Sequence, residues 1–320
     1  MKPAPASRGR TRAAQGVVIP VKIGLALGSG GLRGAAHIGV IDELERAGVH
    51  ADMVAGTSSG SLLAAMYASG MTPSEMADAA LGITAKDILD PIGYTALFLV
   101  APAFLLLLGA KSYLPKGILR GRRFERLLAS YFGKMSMSDM KMPCSAVSVD
   151  IHTGEKIVFT SESPARAAVF KETLYFDAPV VDAVRASCSI PGVFEWKSWE
   201  GRYLVDGAVR EPVPARILKE QGCDYVIAVD LGYTGQADAQ VRELPSIITQ
   251  SLDILGEEVS DYVLYYYANT IIRPRLYNVA LTDTSRIPEC IEEGRNAARQ
   301  ALPDLRRSIR RRVMKRLAAI

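Results

Sequence analysis

The chain has 320 residues, 49% of them hydrophobic and 22% charged, a composition that suits a globular fold with a sizeable core and excludes wholesale disorder. Four widely spaced cysteines without a CxxC pair exclude a disulfide scaffold and a zinc ribbon and fit a reducing compartment, while three histidines argue against a histidine-built metal centre. The net charge of +4 hides an asymmetry: residues 1–16 carry +4 and residues 295–320 carry +8, which leaves −8 for residues 17–294, so an acidic body has basic ends suited to an anionic surface, lipid or nucleic acid.

Residues 1–20 are rich in Arg, Ala and Pro and lack an apolar h-region, which reads as a disordered basic arm and not a secretory signal. Val21–Leu27 is a short apolar run suited to a buried strand; a glycine cluster and a helical pattern over Gly34–Ala47 come next. Met53–Ala55 is a second such strand, running through Gly56–Gly60 into a helix over Ser61–Ala68. Strand, glycine turn and helix, twice in succession, predict a parallel α/β sheet. Further helices are predicted over Arg122–Tyr131, Pro179–Ala186, Val213–Glu220 and Pro245–Ala268, and further strands over Ser145–Ile151, Lys156–Thr160, Arg202–Val205 and Tyr225–Val229. Lys156–Thr160 and Arg202–Val205 are less apolar and read as edge or hairpin strands.

One domain over residues 21–285 accounts for these elements, with residues 286–320 as a basic amphipathic helical tail. There Leu302, Leu305, Ile309, Val313, Leu317 and Ile320 recur at helical spacing opposite arginines, the pattern of a helix lying on anionic lipid. The alternative is a helix packed on the core with a solvated basic face. No interleaved aromatics or recognition motif accompanies the arginines, so no nucleic-acid partner is expected.

Between Asp90 and Lys111 no residue is charged. The length permits a spanning helix of roughly 20 residues, but Gly93, Pro102 and Gly109 interrupt it. If Ser58 and Asp206 act together, a single crossing would also separate them. Residues 91–118 are therefore read as an apolar flap, serving as lid, interfacial anchor or homodimer contact, with a buried core helix as the plain alternative.

Three constellations carry chemistry. Gly28-Ser29-Gly30-Gly31-Leu32-Arg33-Gly34 joins a strand to a helix. As a dinucleotide loop it has Arg33 where a third glycine belongs, although Gly34 satisfies a looser spacing and Asp52 is a candidate acid. As an oxyanion hole it offers the bare N–H groups of Gly30 and Gly31 at a helix N-terminus, with Arg33 bracing the loop or neighbouring the anion. Gly56-Thr57-Ser58-Ser59-Gly60 is G-x-S-x-G at a strand–helix junction, where Gly56 and Gly60 let the turn pack against backbone and Ser58 becomes the nucleophile. Ser59 is out of register with the glycines and reads as structural. The histidines make poor bases: His152 ends a strand at a surface turn, His37 is packed in the first helix, and His50 lies in a turn. Asp206-Gly207-Ala208, after the strand Arg202–Val205, places a carboxylate where it can meet a serine directly, with burial raising its basicity.

Together, Gly30-Gly31-Leu32-Arg33-Gly34, Gly56–Gly60 and Asp206-Gly207-Ala208, in this order, resemble the patatin-like phospholipase family. Arg33–Val40 looks like its bacterial and neuropathy-target-esterase branch, and Ala186–Phe194 looks like the family's A-S-x-x-x-P-x-x-F block beside the active site. The resemblance spans about residues 21–232; residues 91–118 and the basic tail fall outside its pattern. It implies a three-layer α/β/α fold with a central, mostly parallel sheet, and a Ser58–Asp206 dyad served by an oxyanion hole at Gly30, Gly31 and Arg33. It also implies phospholipase A or lysophospholipase activity on acyl esters of membrane lipids, with neither cofactor nor metal. A cytoplasmic protein, peripherally associated with an anionic membrane, is expected; the competing function is a lipid- or partner-binding protein on the same fold with little turnover.

Overall fold

In β1 (Ile23–Leu27) and β8 (Tyr225–Val229) large and small apolar side chains alternate, and that alternation sorts them between two helical layers. Leu25, Leu27, Tyr225, Ile227 and Val229 join one core cluster, whereas Ala26, Val226 and Ala228 join the other. Both faces are buried, as a parallel sheet flanked by helices requires. A computed structural model describes residues 21–90, 116–162, 172–232, 244–276, 279 and 283–318.

The sheet also contains β2 (Met53–Thr57), β3 (Cys144–Asp150), β4 (Lys156–Thr160), β5 (Thr173–Phe176), β6 (Lys197–Trp199), β7 (Arg202–Asp206) and β9 (Thr270–Ile272). Its main path runs β5–β4–β3–β2–β1–β8–β9, and β1, β2, β3, β8 and β9 are parallel. The larger layer is formed by α1 (Ala36–Arg46), α2 (Ser59–Ser69), α3 (Pro73–Leu81), α5 (Arg122–Phe132), α6 (Val180–Ser187) and α9 (Ile287–Leu317); a single turn, α4 (Ala85–Ile88), comes directly after α3. The opposite layer is α7 (Ala215–Glu220) and α8 (Leu244–Tyr267). This is the three-layer, mostly parallel α/β/α architecture expected.

The decisive feature is a branch at β3. Val54–Thr57 of β2 pair in parallel with Cys144–Val147, while Leu204–Asp206 of β7 pair antiparallel with Ser148–Asp150. β4 pairs with Ser145–Val149 and takes the opposite edge. β2 and β7 thus run toward each other along one edge of β3, and their C-terminal ends meet between Val147 and Ser148. Lys156–Thr160 is a hairpin partner of β3, as expected, but an interior strand, because β5 covers its far edge.

The C-terminal helix is largely a core element. A Cβ on Gly39 would lie 1.8 Å from the Ile291 carbonyl oxygen, and one on Gly294 would lie 2.0 Å from that of Ala36, so α1 and α9 cross backbone against backbone. Leu302 and Leu305 are buried and Ile309 packs on the same core, so the fold occupies the helix's apolar stripe that far; Met314 and Leu317 beyond it are exposed.

The arm over residues 1–20 and residues 91–115 lie outside the described residues, and with them the lid, anchor and homodimer readings of the flap. The chain on either side of the apolar stretch is closely tied. The Asp90 carboxylate accepts from the N–H groups of Gly121 and Arg122 at 2.8 and 2.7 Å, and the N–H groups of Ile118 and Leu119 donate to the Val193 carbonyl at 3.0 and 2.8 Å. Chain leaving at Asp90 therefore returns to nearly the same place. Among the described residues no helix is long and apolar enough to cross a membrane.

Candidate active site

The turn after β2 is backbone-strained at one residue. Ser58 has φ 56° and ψ −127°, a region L-residues rarely occupy, between the last strand residue Thr57 and the first helical residue Ser59. Close approach explains the flanking glycines: a Cβ on Gly56 would lie 2.2 Å from the Gly60 carbonyl oxygen, and one on Gly60 would lie 2.2 Å from that of Leu27. The strain is held by hydrogen bonds from several elements. The Ser58 N–H donates to Ser187 Oγ at 3.0 Å, whose hydroxyl donates to the Val147 carbonyl at 2.6 Å. The Ser61 hydroxyl donates to the Ser58 carbonyl at 2.6 Å, and the Thr57 hydroxyl donates to the Glu211 carbonyl at 2.8 Å.

Asp206 arrives from the other side of the branch. It pairs with Ser148, its N–H donates to the Ser189 carbonyl at 2.9 Å, and its Oδ1 accepts from the Ala208 N–H at 2.8 Å. Ser58 and Asp206 are 4% and 3% exposed, and Ser58 lies close enough to Asp206 to bear on its protonation. Burial pushes the Asp206 pKa from 3.8 up to about 7; Ser58 and the bond from the Ala208 N–H pull it down, and the charge of Asp253 on α8 pushes it up. The structure thus brings together the two residues that the sequence singled out 148 positions apart. The buried Cys188 thiol also borders them, and burial raises its pKa.

The glycine loop interlocks with this turn. Gly60 lies against the Leu27 and Gly28 carbonyls, and Gly34 lies against the side chain of Ser59. Gly28 and Ser29 donate to the carbonyls of Val229 and Pro212, both at 2.9 Å; among the described residues the N–H groups of Gly30 and Gly31 have no such acceptor. Arg33 braces the loop: its Nε–H donates to the Gly30 carbonyl at 3.3 Å, and its guanidinium forms an ion pair with Asp253.

The histidines stand apart from this chemistry. Burial pushes His37 down to about 4, so its imidazole is neutral at pH 7, and its Nε2–H donates to the Gly28 carbonyl at 2.8 Å. His152 sits on an exposed turn, its ring 4.7 Å from that of Tyr203, and His50 is exposed. Among the described residues no cluster of His, Cys, Asp and Glu is arranged to hold a metal. Sequence reasoning missed Ser187 and Asp253. Ser187 lay within the Ala186–Phe194 block, which was a usable signal; nothing local marks Asp253.

A patatin-like phospholipase family model matches residues 25–219. An uncharacterized NTE family protein of Mycobacterium tuberculosis is 29% identical over 310 residues, covering 88% of this chain and 47% of that protein. Neuropathy target esterase sws of Drosophila melanogaster is 28% identical over 218 residues, covering 68% of this chain and 13% of that protein. The chain therefore spans about half the length of the mycobacterial relative and a much smaller share of the fly one. Among solved structures, VipD from Legionella pneumophila aligns with a TM-score of 0.49 at 14% identity, covering 89% of this chain and 67% of that one. Human GIVD cytosolic phospholipase A2 aligns with a TM-score of 0.46 at 11% identity, covering 95% and 61%. With more than half of its length matched by the family model, this chain belongs to the patatin-like phospholipase family.

Proposed function

We propose that the chain is a serine acyl hydrolase of the phospholipase A or lysophospholipase type, working through a Ser58–Asp206 dyad. The observation that carries this reading is the meeting of a strained serine turn and a buried carboxyl group of raised pKa at one edge of β3. Ser58 Oγ attacks the ester carbonyl carbon as its proton passes to Asp206, and the N–H groups of Gly30 and Gly31 receive the oxyanion. Collapse breaks the ester bond, and the leaving alcohol takes the proton from Asp206. Water then attacks the acyl-enzyme, gives a proton to Asp206, and the fatty acid departs as Ser58 recovers that proton. Arg33 holds the loop while the backbone donors stabilise charge. A base with a pKa of about 7 must be ionised to act, so activity rises with pH through neutrality.

Lipid contact has two supports. Ile254, Leu255, Tyr262, Tyr265 and Tyr266 are exposed on α8, large apolar and aromatic side chains suited to a lipid interface. The last turns of α9 expose Arg307, Arg310, Arg311 and Arg312, which suit the surface of an anionic membrane. A phospholipid or lysophospholipid is the proposed substrate, met by a peripherally bound protein.

The test is Ser58→Ala and Asp206→Asn, assayed on phospholipid vesicles and with a fluorophosphonate probe. Loss of nucleophile function typically costs on the order of a millionfold in rate. Wild-type turnover by Ser58→Ala would overturn the mechanism. A folded wild type that neither labels nor hydrolyses would favour a binding protein on this fold.

A further inference from the structure

We propose that Asp253 is a positioning residue of the hydrolytic site: through its ion pair with Arg33 it fixes the orientation of the glycine loop. This inference rests on the dyad reading above.

The argument begins with one peptide plane. The Gly30 carbonyl and the Gly31 N–H share a planar trans amide, so they point in opposite directions. The Gly30 carbonyl accepts twice from Arg33, from its backbone N–H at 3.1 Å and from its Nε–H at 3.3 Å. Holding that oxygen toward Arg33 aims the Gly31 N–H the other way. The grip depends on where the guanidinium sits, and its Nη2 is held by the Asp253 carboxylate. The two side chains are only 17% and 21% exposed, so solvent screens this pair less than one on the open surface. Asp253 is itself seated, because α8 rests on the loop after Asp206: a Cβ on Gly256, one turn further on, would lie 3.2 Å from the Pro212 ring.

The same carboxylate acts on the base. Four groups shape the environment of Asp206: the Ser58 hydroxyl from the turn after β2, the Ala208 N–H from its own loop, the Cys188 thiol after α6, and Asp253 from α8. Arg33 in turn meets Asp253 and lies near Cys290 of α9, a thiol pushed up to about 11 by burial. Of these groups only Asp253 adds a second negative charge near Asp206. Its presence makes Asp206 hold a proton more tightly, so the base is stronger but is ionised only at higher pH.

Asp253→Asn and Asp253→Glu in the full chain test this, with hydrolysis of para-nitrophenyl butyrate followed from about pH 5 to about pH 9. Asp253→Asn is expected to lower kcat by roughly tenfold to a hundredfold with KM little changed. It is also expected to move the acid limb of the pH profile to lower pH. Asp253→Glu should restore most of both. Unchanged kcat with an unmoved acid limb overturns the proposal, as does a lowered melting temperature with the limb in place, which is what a merely structural role would give. Ser58→Ala run alongside separates the two readings. If it hydrolyses like wild type, the dyad has failed; if it is inactive while Asp253→Asn matches wild type, only the positioning role has failed.

Discussion

Replacing Asp206 by Asn is expected to make the protein more stable above neutral pH. Asp206 is 3% exposed, and its pKa rises from 3.8 to about 7 on burial. Between those values the unfolded chain has released this proton and the folded chain retains it. Stability conferred on the protonated group is therefore complete below the unfolded pKa, is lost as pH rises through the window, and stays lost above about 7. A difference of about three units at about 1.36 kcal/mol each makes the ionised carboxylate cost about 4 kcal/mol at pH 8. Asn keeps the shape and an oxygen to accept the Ala208 N–H but has no charge to desolvate. For 320 residues, an unfolding entropy of about 2.1 cal/mol/K per residue turns that figure into a rise in Tm of about 6 °C. Thermal melts of wild type and variant at about pH 4, 6 and 8 measure it. The gap should be near zero at the lowest pH and widest at the highest. A gap independent of pH, or a variant that melts lower than wild type at the highest pH, would refute the claim that burial strains this carboxylate.

Three other substitutions probe separate parts of the site. Gly60→Ala would place a methyl group 2.2 Å from the Leu27 carbonyl oxygen and 2.6 Å from that of Gly28, so urea unfolding should show a loss of about 3 kcal/mol or more; an unchanged midpoint would mean that the backbones do not approach in solution. Ser187→Ala leaves the buried Ser58 N–H without its acceptor, which should lower stability by about 1–3 kcal/mol and reduce kcat as the turn relaxes; wild-type values for both would remove Ser187 from the brace. Changing Arg310, Arg311 and Arg312 together to Gln should weaken flotation with vesicles rich in anionic lipid by roughly a hundredfold, at about 1 kcal/mol per charge; equal flotation would take this helix out of the membrane account.

The parts of this fold legible in the sequence are those whose cause is local. β4 and β8 occupy the residues expected, because compact apolar runs fit a buried strand whatever surrounds them. Gly28, Gly56 and Gly60 are legible because each stands where a side chain would strike backbone, and Gly34 because one would strike the Ser59 side chain. β5, β6 and β9 escaped notice; they are four, three and three residues long, too short to show alternation. Ser187 and Asp253 gain their meaning from partners 129 and 220 positions away, which no local pattern encodes. The C-terminal apolar stripe was ambiguous for a different reason. Its spacing is the same whether lipid or protein lies opposite, and only the crossing of α1 and α9 at Gly39 and Gly294 shows that protein covers it as far as Ile309.

The branch at β3 also gives a physical reason why the proposed serine site would work without a histidine partner. An imidazole supplies two things to a serine: reach from a distant element, and a pKa near neutrality. Here β2 and β7 end head to head on one strand edge, so in the proposed dyad a carboxyl group serves the hydroxyl without an intermediary. Burial, with the Asp253 charge nearby, brings that carboxyl to about 7, where an imidazole would titrate unaided. The topology thus supplies the reach and the desolvation supplies the basicity. His37 remains neutral beneath the glycine loop, where its bond to the Gly28 carbonyl holds backbone in place.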